Sequence, residues 1–390
     1  MKDMENIRYF DHAATTAIDN RVLNEMMPYL TKNFGNASSM YSIGKINKEA
    51  INIARKKVAN ALKCKTNEIY FTSGGTESDN LIIKGIAIAN RRYGNHIITT
   101  KIEHPAVLNT CDFLEKYLGF RITYLNVDSN GRIDLRELER SINRGTILIS
   151  IMFANNEIGT IQDIEAIGKI AKKWNVYFHT DAVQAVGNVN IDVKKLGISA
   201  LSMSAHKFYG PKGIGVAYID ENVNFVRIMS GGHQEKDKRS GTENVAGIVG
   251  LGKAIEIAQE ELNDYNKRLT ILRDYYFDQI QRNIPYIKIN GDLKNRLPGN
   301  SNICFKGVDG GTLLQELDKK GICASSGSAC SSGFLNPSHV LLAIGVPSSL
   351  AKTSLRVTFG RENTIEDVDY LVDSLIEILT LQFTAKLKKS

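Results

Sequence analysis

Ser202-Met203-Ser204-Ala205-His206-Lys207 closes an apolar run that begins at Ala200, and the turn sequence Gly210-Pro211 follows it. An apolar run of strand length that ends in two hydroxyls, a histidine and a lysine puts polar chemistry at the carboxyl end of a buried strand. The same arrangement recurs upstream. From about residue 46 to residue 220, apolar runs of strand length alternate with amphipathic stretches of helix length. Strands are expected at 68–72, 96–100, 121–125, 146–152, 176–181, 200–204 and 215–219, with helices over 46–62, from near Thr76, and over 106–117. This α/β alternation implies a mainly parallel sheet covered on both faces, with ligands at the carboxyl ends of its strands. After Thr242 the pattern changes to a long helical stretch over 245–282, followed by shorter α and β units. A boundary is expected near residue 262. Residues 16–262 would form the large α/β domain, and 1–15 with 263–390 a smaller α+β domain.

The bulk numbers narrow the function class. A chain of 390 residues, 43% hydrophobic and 23% charged, can bury a sizeable core and lacks the composition of a disordered protein. The +7 balance, from 49 basic and 42 acidic residues, is spread along the chain. The basic clusters Lys236/Lys238/Arg239 and Lys386/Lys388/Lys389 are short and not interleaved with aromatics, which argues against direct nucleic-acid binding. Five cysteines with no C-x-x-C pair argue against a disulfide framework or a zinc site, and for a reducing compartment. The N-terminal MKDMENIRYFDHAATT has no apolar leader core, and no run approaches a membrane span. A cytoplasmic protein without a membrane partner is expected.

Three further strand ends bear on the chemistry. Asp181, in His179-Thr180-Asp181-Ala182-Val183-Gln184, would be a costly buried carboxylate unless a cation faces it. A pyridinium nitrogen is such a cation, and Gln184 could donate to a phenolic oxygen on the same ring. A helix N-cap is the alternative role for Asp181. Thr72-Ser73-Gly74-Gly75-Thr76-Glu77-Ser78 joins a strand to a helix through small residues, the composition of a phosphate cup and equally of a plain turn. His104, in Lys101-Ile102-Glu103-His104-Pro105, could stack on a flat ring and move protons near neutral pH, or be structural. Gly210-Pro211-Lys212-Gly213-Ile214-Gly215 lacks the Walker spacing and precedes a strand, so it reads as a turn.

Phosphate cup, ring stacker, pyridinium partner and lysine, in that order, resemble the fold-type I pyridoxal phosphate enzymes. Further stretches narrow the resemblance to the cysteine desulfurases of the NifS/IscS type. They are Tyr9-Phe10-Asp11-His12-Ala13-Ala14-Thr15-Thr16, Phe34-Gly35-Asn36, Gly74 to Asn80, Glu103-His104-Pro105-Ala106-Val107, Asn155-Asn156-Glu157-Ile158-Gly159, Arg239-Ser240-Gly241-Thr242 and Ser325-Ser326-Gly327-Ser328-Ala329-Cys330. It covers about residues 8–380. The resemblance implies a seven-stranded sheet, pyridoxal 5′-phosphate as cofactor and no metal. It implies that Lys207 forms the internal aldimine, that Asp181 and Gln184 hold the ring nitrogen and phenolic oxygen, and that His104 stacks above. Gly75, Thr76, Ser204 and His206 would cradle the phosphate, joined by Thr242 from a partner subunit of a homodimer. Asn155 and Arg356 would hold the carboxylate of the substrate, L-cysteine.

Cys330 sets the reaction. Its segment, Ala324 to Gly333, is almost entirely small residues, a composition that favours a mobile loop over a core element. Cys64, Cys111, Cys304 and Cys323 lie in apolar or regular-element contexts and read as structural. The expected chemistry is attack by the Cys330 thiolate on the substrate's sulfur, leaving alanine and a persulfide that passes to an acceptor protein for iron–sulfur assembly or thiolation. Ala37 stands where proline is usual in the resembling family, and Gly75 where alanine is common, and both departures are expected to be tolerated. The tail, ending at Ser390, lacks the extension that docks a scaffold protein in housekeeping members, which leaves that partner open. An aminotransferase or β-lyase on the same fold would share Lys207, Asp181 and His104 without needing Cys330. A non-catalytic sulfur carrier would be expected to have lost Lys207 or Arg356.

Overall fold

A computed structural model describes residues 7–326 and 336–387. Cys330 and its immediate neighbours lie outside the described residues. The described residues form twelve strands: β1 (Arg8–Tyr9), β2 (Ile69–Thr72), β3 (His96–Thr100), β4 (Arg121–Leu125), β5 (Thr146–Ser150), β6 (Tyr177–Asp181), β7 (Ala200–Ser204), β8 (Gly215–Ile219), β9 (Ile287–Ile289), β10 (Asn300–Phe305), β11 (Ile322–Cys323) and β12 (Ser354–Thr358). Seven of them form one sheet in the order β2-β8-β7-β6-β5-β3-β4. β8 runs antiparallel to both of its neighbours, and the other pairings are parallel. Every residue of β2, β3, β5, β7 and β8 is buried. Such strands read as continuous apolar runs because helices cover both faces.

Those helices generate two cores. On one face, Val58 and Leu62 of the helix Ser42–Leu62 and Leu251 of the helix Val245–Glu260 pack with Ile149, Phe178 and Leu201 of the sheet. On the other, Leu81 and Ile86 of the helix Gly75–Asn90 and Val107 and Leu114 of the helix Pro105–Leu118 pack with Ile97 and Leu148. The α/β class, the seven-stranded sheet and four of its strands to the residue agree with the sequence reading.

Other boundaries differ, and two of the differences have a clear cause. β5 ends at Ser150 because the Met152 amide turns out of the ladder and donates to the Glu103 carboxylate at 2.9 Å. The long helical stretch is two helices, Val245–Glu260 and Leu262–Asn283, bent at Glu261 with φ −94° and ψ −1°. There the Glu261 carboxylate meets Arg21 and Arg361.

A further core is built on the antiparallel sheet β9-β10-β12, where Leu269, Tyr276, Phe305, Leu355 and Leu371 pack around the fully buried Phe10. Phe10 follows β1, which pairs in parallel with β11. The N-terminal strand is thereby held among residues more than 250 positions away in sequence. Among the described residues no helix is long and apolar enough to cross a membrane. Nor do three or more His, Cys, Asp or Glu side chains group there as a metal set.

Candidate active site

A pocket of about 270 Å³ opens at the carboxyl ends of the parallel strands, the place at which an open α/β sheet presents ligands. One wall is the start of the helix Gly75–Asn90. Gly74 holds φ at 155°, and no side chain caps this helix, so its first-turn amides and positive dipole end are open to an anion. Gly75 is required by packing: a Cβ there would lie 2.6 Å from Cγ2 of Val183. Alanine, common at this position in the resembling family, would force Val183 to shift. Thr76 completes the wall, and Ser204 and His206 face it from the end of β7. His206 Nδ1 meets the Thr15 hydroxyl at 3.1 Å. Burial and the nearby Lys207 and Lys212 push its pKa down to about 4, so it is neutral and can donate one ring N–H.

Lys207 follows on the short turn Ala205–Lys207. Its Nζ donates to the carbonyls of Ala13 and Ala14 at 2.5 and 2.7 Å. The N-terminal segment is laid over the end of β7 by Thr16, whose amide donates to the His206 carbonyl at 2.9 Å. Gln184 reaches the same segment, donating from Nε2 to the Ala13 carbonyl at 2.9 Å.

Asp181 ends β6 as a buried residue. Its Oδ1 accepts from the Val183 amide at 2.9 Å, so it caps the following turn while its carboxyl still lines the pocket. Burial raises its pKa, and His104 and Lys207 pull it back toward ionisation. A cationic ring nitrogen would supply the partner such a carboxylate needs. His104, the N-cap of the helix Pro105–Leu118, accepts the Ala106 amide on Nδ1 at 3.1 Å. Burial lowers its pKa, opposed by Asp181.

Arg356, on β12, brings a guanidinium into the pocket from the further core. Asn155 does not line the pocket. Its Oδ1 accepts from the amides of Glu157 and Ile158 at 2.9 and 3.0 Å, and its Nδ2 donates to the Ile102 carbonyl at 2.9 Å. The neighbouring Asn156 lines the wall instead. Thr242 is exposed and outside this pocket. Its segment is tethered to the helix start by Arg239, which pairs with Glu77 at 2.7 Å. Among the other cysteines, Cys111 and Cys304 are buried and Cys64 and Cys323 half-buried. Burial pushes the Cys64 and Cys111 thiols up to about 12, which makes them inert as nucleophiles.

One ionisable pocket residue had no reading of its own from sequence. Asp79 is completely buried with Oδ1 unpartnered, 3.6 Å from Nε2 of His179. Burial and the adjacent Asp181 hold its pKa well above the usual carboxylate range, and burial pushes His179 down to about 3. His179 bridges the hydroxyls of Ser150 and Ser202 at 2.9 and 3.0 Å. The only sequence signal for Asp79 is its place in the Gly74 to Asn80 run.

Residues 8–371 match the aminotransferase class-V family. The chain is 54% identical over 373 residues to the cysteine desulfurase IscS of Clostridium botulinum strain Hall, covering 95% of this chain and 94% of that one. It is 55% identical over 371 residues to the IscS of Methanosarcina thermophila, covering 95% and 91%. A solved NifS-like protein superposes with a TM-score of 0.91 at 40% identity, covering 96% of this chain and 100% of the other. Family match, near full-length identity and superposition agree with the arrangement of the pocket: the chain belongs to the aminotransferase class-V family and, within it, to the cysteine desulfurases.

Proposed function

We propose that the protein is a pyridoxal phosphate-dependent cysteine desulfurase that converts L-cysteine to L-alanine and leaves the sulfur as a persulfide on Cys330. One observation carries the reading. An uncapped helix start, a buried carboxyl, a neutral histidine, a lysine and an arginine all face one pocket of about 270 Å³. The cofactor's chemistry fits these groups: Gly75, Thr76, Ser204 and His206 suit its phosphate, Asp181 and Gln184 its ring, and Lys207 its aldehyde. When bound, pyridoxal phosphate supplies the electron sink for bond breaking at the substrate.

The chain's own residues do the rest. Arg356, with Asn156 beside it, holds the substrate carboxylate through a planar guanidinium, while Asn155 shapes the turn that carries Asn156. His104 keeps the ring in place and offers an uncharged imidazole for proton transfer. Lys207 Nζ takes the proton from the substrate Cα and returns it. The Cys330 thiolate attacks the substrate sulfur. The carbon–sulfur bond breaks, a sulfur–sulfur bond forms on Cys330, and the released carbon takes a proton to complete alanine.

Thr242, tethered beside the helix start yet exposed, suits completion of a phosphate site in the second subunit of a homodimer. The division into residues 16–262 and 1–15 with 263–390 is supported by the separate core around Phe10. A cytoplasmic setting, with an iron–sulfur scaffold or a thiolation enzyme as acceptor, suits a reactive persulfide. The deciding measurement is intact-peptide mass spectrometry of the loaded enzyme after incubation with L-cysteine. Gain of one sulfur on the Cys330 peptide with stoichiometric alanine is expected. A keto-acid product without that sulfur would make the protein an aminotransferase or lyase of the same fold.

A further inference from the structure

Arg356 is buried on β12 with its side chain only 4% exposed, where a guanidinium without a counter-charge is costly. Its Nη2 donates to Oδ1 of Asp11 at 2.7 Å, and its Nη1 to the Asn156 carbonyl at 3.2 Å. Nε is also buried and has no partner among the described residues. A guanidinium carries five N–H donors, so each of its three nitrogens keeps one donor open. Asp11 engages one nitrogen through one oxygen, which is not the two-point fork that a carboxylate and a guanidinium can form.

The direction of approach matters. Arg356 lines the pocket with Lys207 and His104, whereas Asp11 is not part of that wall. The Asp11 carboxylate thus meets the guanidinium without entering the pocket wall, and it leaves Nε and one donor on each Nη uncommitted. Asp11 itself is fixed. Its backbone bridges Thr358, two residues beyond Arg356, and its carbonyl accepts from the Ala14 amide at 2.9 Å and the Tyr9 hydroxyl at 3.0 Å.

We propose that Asp11 is a positioning residue for substrate recognition. It balances the buried charge of Arg356 and fixes the rotation of the guanidinium, so that the open donors face an incoming α-carboxylate. This rests on the assignment of the substrate carboxylate to Arg356. Its consequence is confined to binding: Asp11 touches neither the cofactor groups nor the sulfur.

The test is steady-state kinetics of the loaded enzyme with L-cysteine for D11N, which keeps an acceptor oxygen and removes the charge, beside R356Q. D11N is expected to raise KM roughly tenfold, with kcat within about twofold and cofactor absorbance unchanged. R356Q is expected to raise KM by more. If D11N does not fold, D11S takes its place with the same expectation. A merely structural role would instead lower kcat, cofactor content and thermal stability together while sparing KM, and that result would overturn the proposal. A raised KM in R356Q beside a wild-type KM in D11N would overturn it while leaving the Arg356 assignment standing. A wild-type KM in R356Q would remove the assignment on which the proposal rests, and the proposal with it.

Discussion

The backbone amide of Ala106 donates to Nδ1 of His104 at 3.1 Å, so the neutral imidazole carries its proton on Nε2. One ring nitrogen starts a helix, and the other is left for chemistry. H104A should lose about 1 kcal/mol of stability with the cap, and most of the activity with the ring. H104N should regain the cap but not the activity. Urea denaturation alongside kcat would separate the two roles. Equal activity in H104N and wild type would mean that the imidazole has no part in turnover.

Gly75 and Val183 are matched. A methyl group at position 75 meets Cγ2 of Val183 at 2.6 Å, so G75A should cost about 1–3 kcal/mol and weaken cofactor retention. The double variant G75A/V183A should recover most of both. Thermal melts and cofactor content after gel filtration measure this, and the idea fails if the second substitution restores nothing.

Glu103 makes stability depend on pH. Burial raises its pKa from 4.5 to about 8, although its Oε1 accepts from the Thr100 hydroxyl and the Met152 amide. Between these two values the folded protein holds a proton that the unfolded chain has released, so stability falls as pH rises from about 4.5 to 8. Glu157, raised by burial to about 7, contributes in the same direction. E103Q cannot titrate. Its melting temperature should drop less than that of wild type between pH 5.5 and pH 8. Parallel drops would show that Glu103 is ionised throughout.

Lys207 and Cys330 should separate cofactor binding from sulfur transfer. K207A should lose the yellow absorbance of the bound cofactor together with all alanine formation. C330S should keep the absorbance and form no alanine or persulfide. An unchanged spectrum in K207A would displace Lys207 from its role, and turnover by C330S would displace Cys330.

How much of this was legible depended on distance along the chain. The strands β3, β4, β7 and β8 follow from short apolar runs bounded by turn residues, a local signal. The pocket residues Gly75, His104, Asp181 and Lys207 were readable for the same reason: each stands at the end of one such run. The bend at Glu261 was not, because no glycine or proline marks it and its ion pairs reach Arg21 and Arg361. Asp79 lies in an ordinary helical pattern, and only the packing against His179 and Asp181 reveals a buried carboxyl. The contact of Asp11 with Arg356 spans 345 positions and has no local trace. Asn155 shows the converse limit: motif position put it at the substrate, while its side chain ties up the amides of its own turn and Asn156 meets the pocket.

The placement of the N-terminal segment also bears on biosynthesis. Asp11 and Ala13 are each synthesised 345 residues before their partners Arg356 and Thr358. A nascent chain can assemble the seven-stranded sheet early, but Asp11 and Ala13 must wait for their partners on β12. Until then Lys207 is present without an arginine opposite it. The pocket that Lys207 and Arg356 both line is thereby completed only once β12 is in place.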